Sequence, residues 1–382
     1  MIPLFYPPKQ DVEEMLRELR DTLESRWWGQ GPKAARFEQE FGAMFGHEYC
    51  AFVNSGTAAL HLAYVLAGVG RGDEVIVPVL TCTATCHPIL LLGATPVFAD
   101  IRPDTLTVDP ADVERKITPR TRAIVAVHLG GLVEDVEPLR RLSERHGIPI
   151  IEDAAQALGA RQVGYGTYTC YSFQAIKHLT TGDGGMLVVK TAEDYTRAKR
   201  LRWFDIDREA KANRNWQAWD RRGITFDQEH PGYKYHGNDI AAAIGLAGLK
   251  TIRGALEHHH RLAAEYRRLL GDSKAVELLK DGDSADWLFM VKVTGSRDDL
   301  AEFLLNHQVE TNVAHLRNDV FQVFGGKRLD LPGMNAVEFQ YLCLPLNDWV
   351  SLDDVRTVCR LIQTYERKVG AAAAPPRRAA AV

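Results

Sequence analysis

The feature that most constrains the fold is a series of short, wholly apolar segments that alternate with amphipathic ones in the first two thirds of the chain. Between residues 123–129 and 148–156, the segment EDVEPLRRLSERHG has the apolar spacing of a helix, which Gly147 ends. Strand, helix and strand in this order predict an α/β fold with a doubly wound, mostly parallel sheet. Four segments are apolar on both faces, as buried parallel strands are: EVIVP (74–78), TPVFADI (95–101), AIVAVHL (123–129) and IPIIEDAAQ (148–156).

A second unit is expected towards the C-terminus. From Asn238 the chain reads as one long helix, and the strand candidate DWLFMVKV follows it. Two further helices begin at Ser296 and Ser351, each with an aspartate three residues later, as in a capping box. This order indicates a smaller α+β unit, and the low-complexity end AAAAPPRRAAAV has no core residues. We therefore expect a large domain over residues 1–250, a small domain over 251–370 and a disordered tail over 371–382.

Composition excludes several classes of function. The chain has 46 Lys and Arg residues against 50 Asp and Glu residues, a formal net charge of −4, so no bulk positive field favours nucleic acid or an anionic membrane. The longest apolar run, around residues 88–92, is too short to span a bilayer, and the opening MIPLFYPPKQDVEE lacks the pattern of a signal peptide. We expect a cytoplasmic protein that binds neither nucleic acid nor membrane.

The cysteines and histidines do not form a metal-binding pattern. The six cysteines are scattered, with no C-x-x-C pair and no zinc-type spacing to histidine. The segment EHHHR (257–261) has three consecutive histidines, but adjacent positions on a helix point in three directions. The sequence therefore predicts free thiols and no metal site.

Two segments beside predicted strands have residues suited to binding charged groups. VNSGTAALHLA (53–63) places a Ser-Gly-Thr turn at a helix start, where free N–H groups and the helix dipole suit a phosphate; a simple N-cap would have the same sequence. Asp153 ends an apolar strand, with Gln156 shortly after it. A carboxylate there must be paired, because its ionised form is otherwise penalised by desolvation. It is either a helix N-cap or the partner of a cationic ring nitrogen.

A third segment, YSFQAIKHLTTGDGGMLVV (171–189), contains one lysine between an aromatic-rich strand and a Gly-rich run. Ser172 follows the strand-like TYTCY, and Lys177 comes five residues later. A lysine in a partly dry site tends to lose its proton and becomes a nucleophilic amine that can form a Schiff base with a carbonyl compound. The Gly-rich run lets the backbone turn closely after Lys177.

Together, in this order, the three segments resemble fold type I enzymes that use pyridoxal 5′-phosphate (PLP). More specifically, the chain resembles the DegT/DnrJ/EryC1/StrS family of sugar aminotransferases from about Trp28 to the helix after Ser351. The motifs that carry the resemblance are NSGTAALHLA, GDEVIVP, GATPVFADI, IEDAAQALGA and YSFQAIKHLTTGDGGML.

The resemblance assigns a role to each of these residues. Lys177 would form the Schiff base with the cofactor aldehyde and then move the proton between the amino-acid α-carbon and the cofactor. Asp153 would keep the pyridine nitrogen protonated, so that the ring can accept electrons. Gln156 would bind the phenolic oxygen of the cofactor. The phosphate would be bound by Ser172 and by the backbone at Gly56 and Thr57.

The sequence departs from the family pattern at two positions. Cys82, in LTCTATCHP, stands where relatives usually have an aromatic residue that stacks on the cofactor ring. Lys234, in GYKYHGND, lies in a loop that crosses from the partner subunit in relatives; it would bind the cofactor phosphate or a substrate diphosphate, or lie in solvent. The resemblance also assigns Trp28, His315 and Arg317 to the sugar site; the last two could equally be paired surface residues.

The resemblance implies a homodimer with shared active sites. It would transfer an amino group from an amino acid, L-glutamate by expectation, to a keto carbon of a nucleotide-linked sugar, expected to be a 4-keto-6-deoxy sugar for amino sugar or polysaccharide biosynthesis. A cyclitol aminotransferase would use the same residues on a substrate without a nucleotide. Related PLP-dependent dehydratases replace the lysine with histidine, so the presence of Lys177 disfavours dehydration.

The sequence disfavours two other classes of protein. A nicotinamide-dependent oxidoreductase is disfavoured because GVGRG (68–72) follows a helix and precedes a strand, the reverse of the order that its glycine motif requires. A cofactor-binding sensor without turnover is disfavoured because the sequence has no DNA-reading module and its charge balance is unfavourable.

Overall fold

The computed structural model describes residues 1–133, 135–207, 228–280 and 282–373. A central sheet of seven strands has the order β1-β7-β6-β5-β4-β2-β3, in which β7 runs antiparallel to both of its neighbours. The remaining pairs are parallel, so the mostly parallel sheet predicted from the sequence is confirmed. The strands are β1 (Tyr49–Val53), β2 (Glu74–Pro78), β3 (Thr95–Ala99), β4 (Thr121–Val127), β5 (Ile150–Asp153), β6 (Tyr168–Ser172) and β7 (Gly185–Val189).

The wholly apolar strands are buried on both faces. In β4, Ala123 and Val125 belong to one hydrophobic core, and Ile124 and Ala126 belong to another on the opposite face. This arrangement requires helices on both sides of the sheet, because side chains alternate along a strand. The flanking helices are α1 (Val12–Ser25), α2 (Pro32–Phe45), α3 (Gly56–Leu66), α4 (Thr83–Leu91), α5 (Pro110–Lys116), α6 (Val136–His146) and α7 (Ala192–Leu201).

Local sequence signals explain where these helices begin and end. The Asp135 side chain caps α6 by accepting a hydrogen bond from the Glu137 N–H, and Gly147 ends the helix with a φ of 65°. Only a residue without Cβ adopts that left-handed conformation freely, so the predicted C-terminus of this helix is confirmed.

A helix of 32 residues, α8 (Asp239–Leu270), connects the central sheet to a second sheet. Its N-cap is Asn238, whose side chain accepts a hydrogen bond from the Ala241 N–H at 2.9 Å. The helix packs on α1 and α2 at one end and on the C-terminal helix of the chain at the other. The domain division predicted at residue 250 falls inside this continuous helix and stays a prediction.

The second sheet is antiparallel, with the order β10-β9-β8, and has its own core around Leu262, Val291 and Val358. Ser296 and Ser351 cap their helices through the N–H groups of Asp299 and Asp354, as the sequence predicts. Of the tail predicted to be disordered over residues 371–382, residues 371–373 belong to the C-terminal helix and the rest lies outside the described residues. The elements are β8 (Val276–Leu278), β9 (Phe289–Val293), β10 (Tyr341–Leu344), α9 (Arg297–Asn306), α10 (Pro332–Val337) and α11 (Leu352–Ala373).

The topology places the ends of several strands at one edge of the central sheet. Strands β4, β5 and β6 are adjacent and parallel, so Val127, Asp153 and Ser172 end at the same edge. Ligands of open α/β sheets bind at this carboxyl edge. In the part of the chain that the structure describes, no helix combines the length and the apolar character needed to cross a bilayer.

Candidate active site

A cavity of about 350 Å³ opens at the carboxyl edge of the central sheet. This volume lies within the range of roughly 300–1,000 Å³ that is typical of small-molecule sites. The cavity joins the three segments that the sequence predicts as chemically important. The residues predicted from the sequence for the site that line this cavity are Gly56, Thr57, Cys82, Asp153, Gln156, Ser172, Lys177 and His315.

Asp153 is the buried carboxylate of this cavity. It is 5% exposed, and its Oδ2 accepts a hydrogen bond of 2.7 Å from the Thr85 hydroxyl. Its Oδ1 accepts a longer hydrogen bond of 3.2 Å from the Ala155 N–H. The Thr85 proton is committed to Asp153, so the Thr81 hydroxyl must donate to the Thr85 Oγ1, 2.7 Å away. This chain of hydroxyls orients the carboxylate and leaves acceptor capacity for a cationic ligand.

The loop between β6 and β7 positions Lys177. Its backbone N–H donates to the Gln174 carbonyl at 2.9 Å, and its side-chain amine lies 3.8 Å from the centroid of the Trp287 ring. Burial disfavours the charged amine and lowers the pKa of Lys177 to about 8, although Asp153 and Cys82 oppose the shift. A substantial fraction of the amine is therefore neutral near pH 8, which is the state that a nucleophile requires.

The start of α3 forms a cradle for an anion. Ser55 caps the helix by accepting a hydrogen bond from the Ala58 N–H at 3.0 Å, so the N–H groups of Gly56 and Thr57 lie in the first turn. A Cβ added to Gly56 would lie 2.8 Å from the Cβ of Ser172. Glycine at this position therefore lets the Ser172 hydroxyl approach the helix N-terminus. Together these donors suit a phosphate group.

Gln156 and His315 form a second polar pair in the cavity wall. The Gly130 N–H donates to the Gln156 Oε1 at 2.6 Å, which fixes the amide orientation. The Gln156 Nε2 must then donate to the His315 Nε2, 2.9 Å away. Burial, with a smaller effect of the Lys177 charge, lowers the pKa of His315 to about 4. His315 is therefore neutral near pH 7, with its proton on Nδ1.

Cys82 lies at the N-cap position of α4 and lines the same cavity. Burial raises the pKa of its thiol, and the charge of Asp153 acts in the same direction. The thiol is therefore protonated and apolar in character near neutral pH. The structure places Cys82 in the predicted cavity but supplies no aromatic ring at that position.

Arg317, one of the residues predicted for the sugar site, does not line this cavity. Its guanidinium is 1% exposed and makes a bidentate contact with Asp319 at 2.6 and 2.7 Å. It also donates to Asn335 at 2.6 Å and to Glu338 at 3.1 Å. Since its donors are used inside the fold, Arg317 has a structural role in this chain, and its predicted contact with sugar stays untested.

Trp28 and Lys234 also lie away from the cavity wall. Trp28 is 55% exposed, and its indole N–H donates to the Leu23 carbonyl at 3.4 Å. The Lys234 amine lies 3.4 Å from the centroid of the Trp203 ring, and its carbonyl accepts a hydrogen bond from Asn54. Both assignments to a binding site stay predictions.

Sequence reasoning missed three residues at the site. Thr85 orients Asp153, His128 lines the cavity while it hydrogen-bonds Glu152 at 3.0 Å, and Trp287 faces the Lys177 amine. For His128 there was a signal, since it lies near the end of the strand predicted over residues 123–129. Trp287 gave none, because it comes from the second unit of the chain, 110 residues after Lys177.

The three consecutive histidines have separate partners, and His259 is buried. His258 contacts the Val350 carbonyl at 2.9 Å, His259 contacts Asp348 at 2.9 Å, and His260 contacts Asp286 at 2.6 Å. Over residues 1–133, 135–207, 228–280 and 282–373, no group of three His, Cys, Asp or Glu side chains is arranged to hold a metal ion.

A larger groove, of about 800 Å³, is formed by other residues around α5 and α6. Its arginines already have acidic neighbours: Arg102 pairs with Asp104 at 3.2 Å, and Arg145 pairs with Glu114. No lysine is among the described residues that line this groove, whereas Lys177, Asp153 and the start of α3 meet in the smaller cavity. The smaller cavity is therefore the candidate active site.

Comparison with known proteins finds a family model and relatives that match nearly the whole chain. The model of the DegT/DnrJ/EryC1/StrS aminotransferase family matches residues 9–363. The spore coat polysaccharide biosynthesis protein SpsC of Bacillus subtilis (strain 168) is 34% identical over 370 residues, which cover 92% of this chain and 94% of SpsC.

Solved structures with the same fold include two relatives that are similar over nearly their whole length. The sugar aminotransferase CalS13 from Micromonospora echinospora has a TM-score of 0.88 and 33% identity, and the match covers 95% of this chain and 100% of CalS13. DesI, solved in the presence of its TDP-sugar product, has a TM-score of 0.84 and 28% identity, with 97% of this chain and 95% of DesI covered.

Proposed function

Because the chain belongs to the DegT/DnrJ/EryC1/StrS aminotransferase family and is a PLP-dependent sugar aminotransferase, we propose that it aminates a keto carbon of a nucleotide-linked sugar. We further propose L-glutamate as the amino donor and a 4-keto-6-deoxy sugar as the acceptor. The observation that carries the proposal is the meeting of Lys177, Asp153 and the α3 N-terminus in one cavity.

These residues fit PLP in its three charged or reactive parts. The Gly56 cradle and Ser172 suit the phosphate, Asp153 suits the ring nitrogen, and the amine of Lys177 suits the aldehyde. When bound, PLP supplies a carbonyl that carries the amino group from donor to acceptor and a cationic ring that withdraws electrons from the reacting carbon.

Lys177 moves the proton of the reaction. Because its pKa is about 8, both the neutral amine and the ammonium are populated at physiological pH. The neutral amine can accept a proton from the donor α-carbon, and the resulting ammonium can then donate that proton to the cofactor. The same residue therefore serves both half-reactions, with amino acid first and sugar second.

Asp153 stabilises positive charge at the base of the cavity. Its carboxylate is oriented by Thr85, which is itself held by Thr81 and by the Tyr64 hydroxyl through the Thr85 carbonyl at 2.8 Å. A carboxylate at fixed geometry in a buried site interacts strongly with a cationic partner. We infer that it keeps the ring nitrogen of the cofactor protonated.

Gln156 and His315 form the polar wall beside the reacting amine. One Gln156 N–H donates to neutral His315, so the other is available to the phenolic oxygen of the cofactor. His315 cannot compete with Lys177 as an acid near pH 7, because burial lowers its pKa. We infer that it shapes the sugar site as a hydrogen-bonding residue.

The nucleotide part of the proposal is supported by relatives. DesI was solved in the presence of its TDP-sugar product, and SpsC is a polysaccharide biosynthesis protein. We propose by the same resemblance a homodimer in which the loop with Lys234 reaches the partner's site. The cytoplasmic location expected from the sequence stays a prediction.

The test supplies the purified chain with PLP, L-glutamate and one keto acceptor at a time. The acceptors are a TDP- or UDP-linked 4-keto-6-deoxy sugar, a 3-keto nucleotide sugar and a keto cyclitol, and the amine product is detected by mass spectrometry. We expect amine only on a nucleotide sugar, and none with Lys177→Ala. Amine only on the cyclitol, or undiminished turnover by Lys177→Ala, would contradict the proposal.

A further inference from the structure

The amine of Lys177 lies against the face of a tryptophan from another part of the chain. Its Nζ is 3.8 Å from the centroid of the Trp287 ring. Trp287 is in the segment that leads into β9, whereas Lys177 is in the loop after β6. An ammonium over an indole face is attracted by the electrons of the ring, most strongly where water is excluded.

The indole ring is held firmly in this position. Its Nε1–H donates to the carbonyl of Ile176 at 3.1 Å, next to Lys177 in the chain. The backbone N–H of Trp287 donates to the Gly130 carbonyl at 3.0 Å, and the ring of Phe5 lies 5.8 Å away on another side. Trp287 is 5% exposed. The ring and the lysine loop are therefore fixed relative to each other.

Other groups also act on the protonation of Lys177. Asp153, at the end of β5, and Cys82, at the start of α4, favour its charged form. His178, in the same loop, and His315, before the buried Arg317 cluster, are both kept neutral by burial, which lowers their pKa. Burial of Lys177 itself favours the neutral amine. The Trp287 face adds to the groups that favour the ammonium, through the electrons of its ring.

We propose that Trp287 is a positioning residue for the reacting amine. When Lys177 is not bonded to the cofactor, the indole face would hold its ammonium in one position at the cavity wall that Lys177 lines. This inference rests on the proposed role of Lys177. It assigns to Trp287 a function that sequence reasoning did not find.

The experiment uses the full-length chain in two loaded forms, with PLP and with its amine form, pyridoxamine 5′-phosphate (PMP). Lys177 is trace-acetylated with acetic anhydride between pH 6 and pH 10, and the peptide that contains it is quantified by mass spectrometry. In the PLP form we expect Lys177 to be protected. In the PMP form the extent of labelling against pH gives the midpoint at which the amine loses its proton.

We expect Trp287→Leu to lower this midpoint by about one pH unit, because the ring face that stabilises the ammonium is lost. Trp287→Phe keeps an aromatic face and should stay within about 0.3 unit of the unsubstituted chain. The matched control is Trp349→Leu. Trp349 also lies near an amine, that of Lys9 at 4.8 Å, and also donates its Nε1–H to a backbone carbonyl, but outside the cavity. Its substitution should leave the Lys177 midpoint unchanged.

The two proposals fail in different ways. Equal labelling of Lys177 in the PLP and PMP forms would contradict the proposed function itself. Protection in the PLP form, with the same PMP-form midpoint in Trp287→Leu and the unsubstituted chain, would overturn only the inference about Trp287.

A measurement on the unsubstituted chain covers the case in which Trp287→Leu does not fold. In a crystal structure of the PMP form, we expect the Lys177 Nζ over the Trp287 ring, about 4 Å from its centroid. An amine turned away from the ring would overturn the inference.

Discussion

Strand β5 ends in two consecutive carboxylates that face opposite sides of the central sheet, and the two sides differ in how completely they satisfy the charge. Glu152 accepts hydrogen bonds from the N–H groups of Gly164 and Gly166, from the Thr169 hydroxyl and from His128, at 2.8 to 3.1 Å. Asp153, one residue later, accepts from Thr85 and from the Ala155 N–H.

Under the function proposed above, the difference separates a structural carboxylate from a functional one. Glu152 has no exposed side-chain surface and is surrounded by donors, so it holds the loop before β6 to the sheet. Asp153 borders the cavity with acceptor capacity that the described residues leave unused. Two acidic residues adjacent in sequence therefore have different tasks, because side chains alternate across a strand.

The largest effect that this comparison predicts is on activity, from Asp153→Asn. The substitution removes the charge that faces the cofactor ring, and loss of one partner of a buried charge pair costs about 2–5 kcal/mol. We expect kcat to fall by about a hundredfold or more. The measurement is the rate of amine product formation at saturating glutamate and PLP. The denaturation midpoint should change little. A variant that keeps full activity would show that Asp153 does not act on the cofactor.

The second prediction is the opposite result for Glu152→Gln. An amide would direct N–H groups at the donors around Glu152, and such an unsatisfied buried site costs about 3 kcal/mol. We expect a lower urea midpoint but nearly normal turnover per folded molecule. If turnover fell as far as in Asp153→Asn while stability was unchanged, the division between the two sides of the strand would be wrong.

Sequence reasoning found Asp153 because a carboxylate at the end of an apolar strand stands out. It did not distinguish the two sides of the strand, because the donors to Glu152 come from a loop whose shape depends on Gly164 and Gly166. The antiparallel β7 was missed for a related reason, since strand pairing depends on partners distant in sequence. Lys177 was identified by a local motif, but its tryptophan was not.

Arg317 shows what the family resemblance left open about a single side chain. The family resemblance assigns it to sugar, but the structure gives it an acidic partner only two residues away, Asp319. The sequence left open whether Arg317 lines the sugar site or is a paired residue. The structure shows the pairing, and the contact with sugar stays a prediction.

The third prediction concerns the protonation of the Lys177 amine. In the role proposed for Lys177, its neutral amine would attack the cofactor aldehyde, and burial lowers the pKa of this amine to about 8. Below this pKa the amine is charged, so the rate of PLP attachment should rise about tenfold from pH 7 to pH 9. The measurement is stopped-flow absorbance after PLP is added to the cofactor-free chain. A midpoint near 10.4, the value of an exposed lysine, would show that the site does not shift this group.

The smallest expected effect comes from removing the hydroxyl of Thr85, which contacts Asp153. The matched comparison is Thr169, which contacts Glu152. Thr85→Val removes the hydroxyl that orients Asp153, and a hydrogen bond to a charged group is worth about 1.5–3 kcal/mol. Since Asp153 keeps its charge, we expect a drop in kcat of about fivefold to tenfold. Thr169→Val, the matched control, removes a donor to Glu152 and should lower stability instead. Equal effects of both variants on kcat would contradict the comparison.

The most direct test of the account is to locate the covalent bond between the chain and PLP. The purified chain is incubated with excess PLP, reduced with borohydride, digested and sequenced by mass spectrometry. The account predicts a coloured protein before reduction and a single modified peptide with the cofactor on Lys177. A colourless protein without an adduct, or an adduct confined to another lysine, would contradict it.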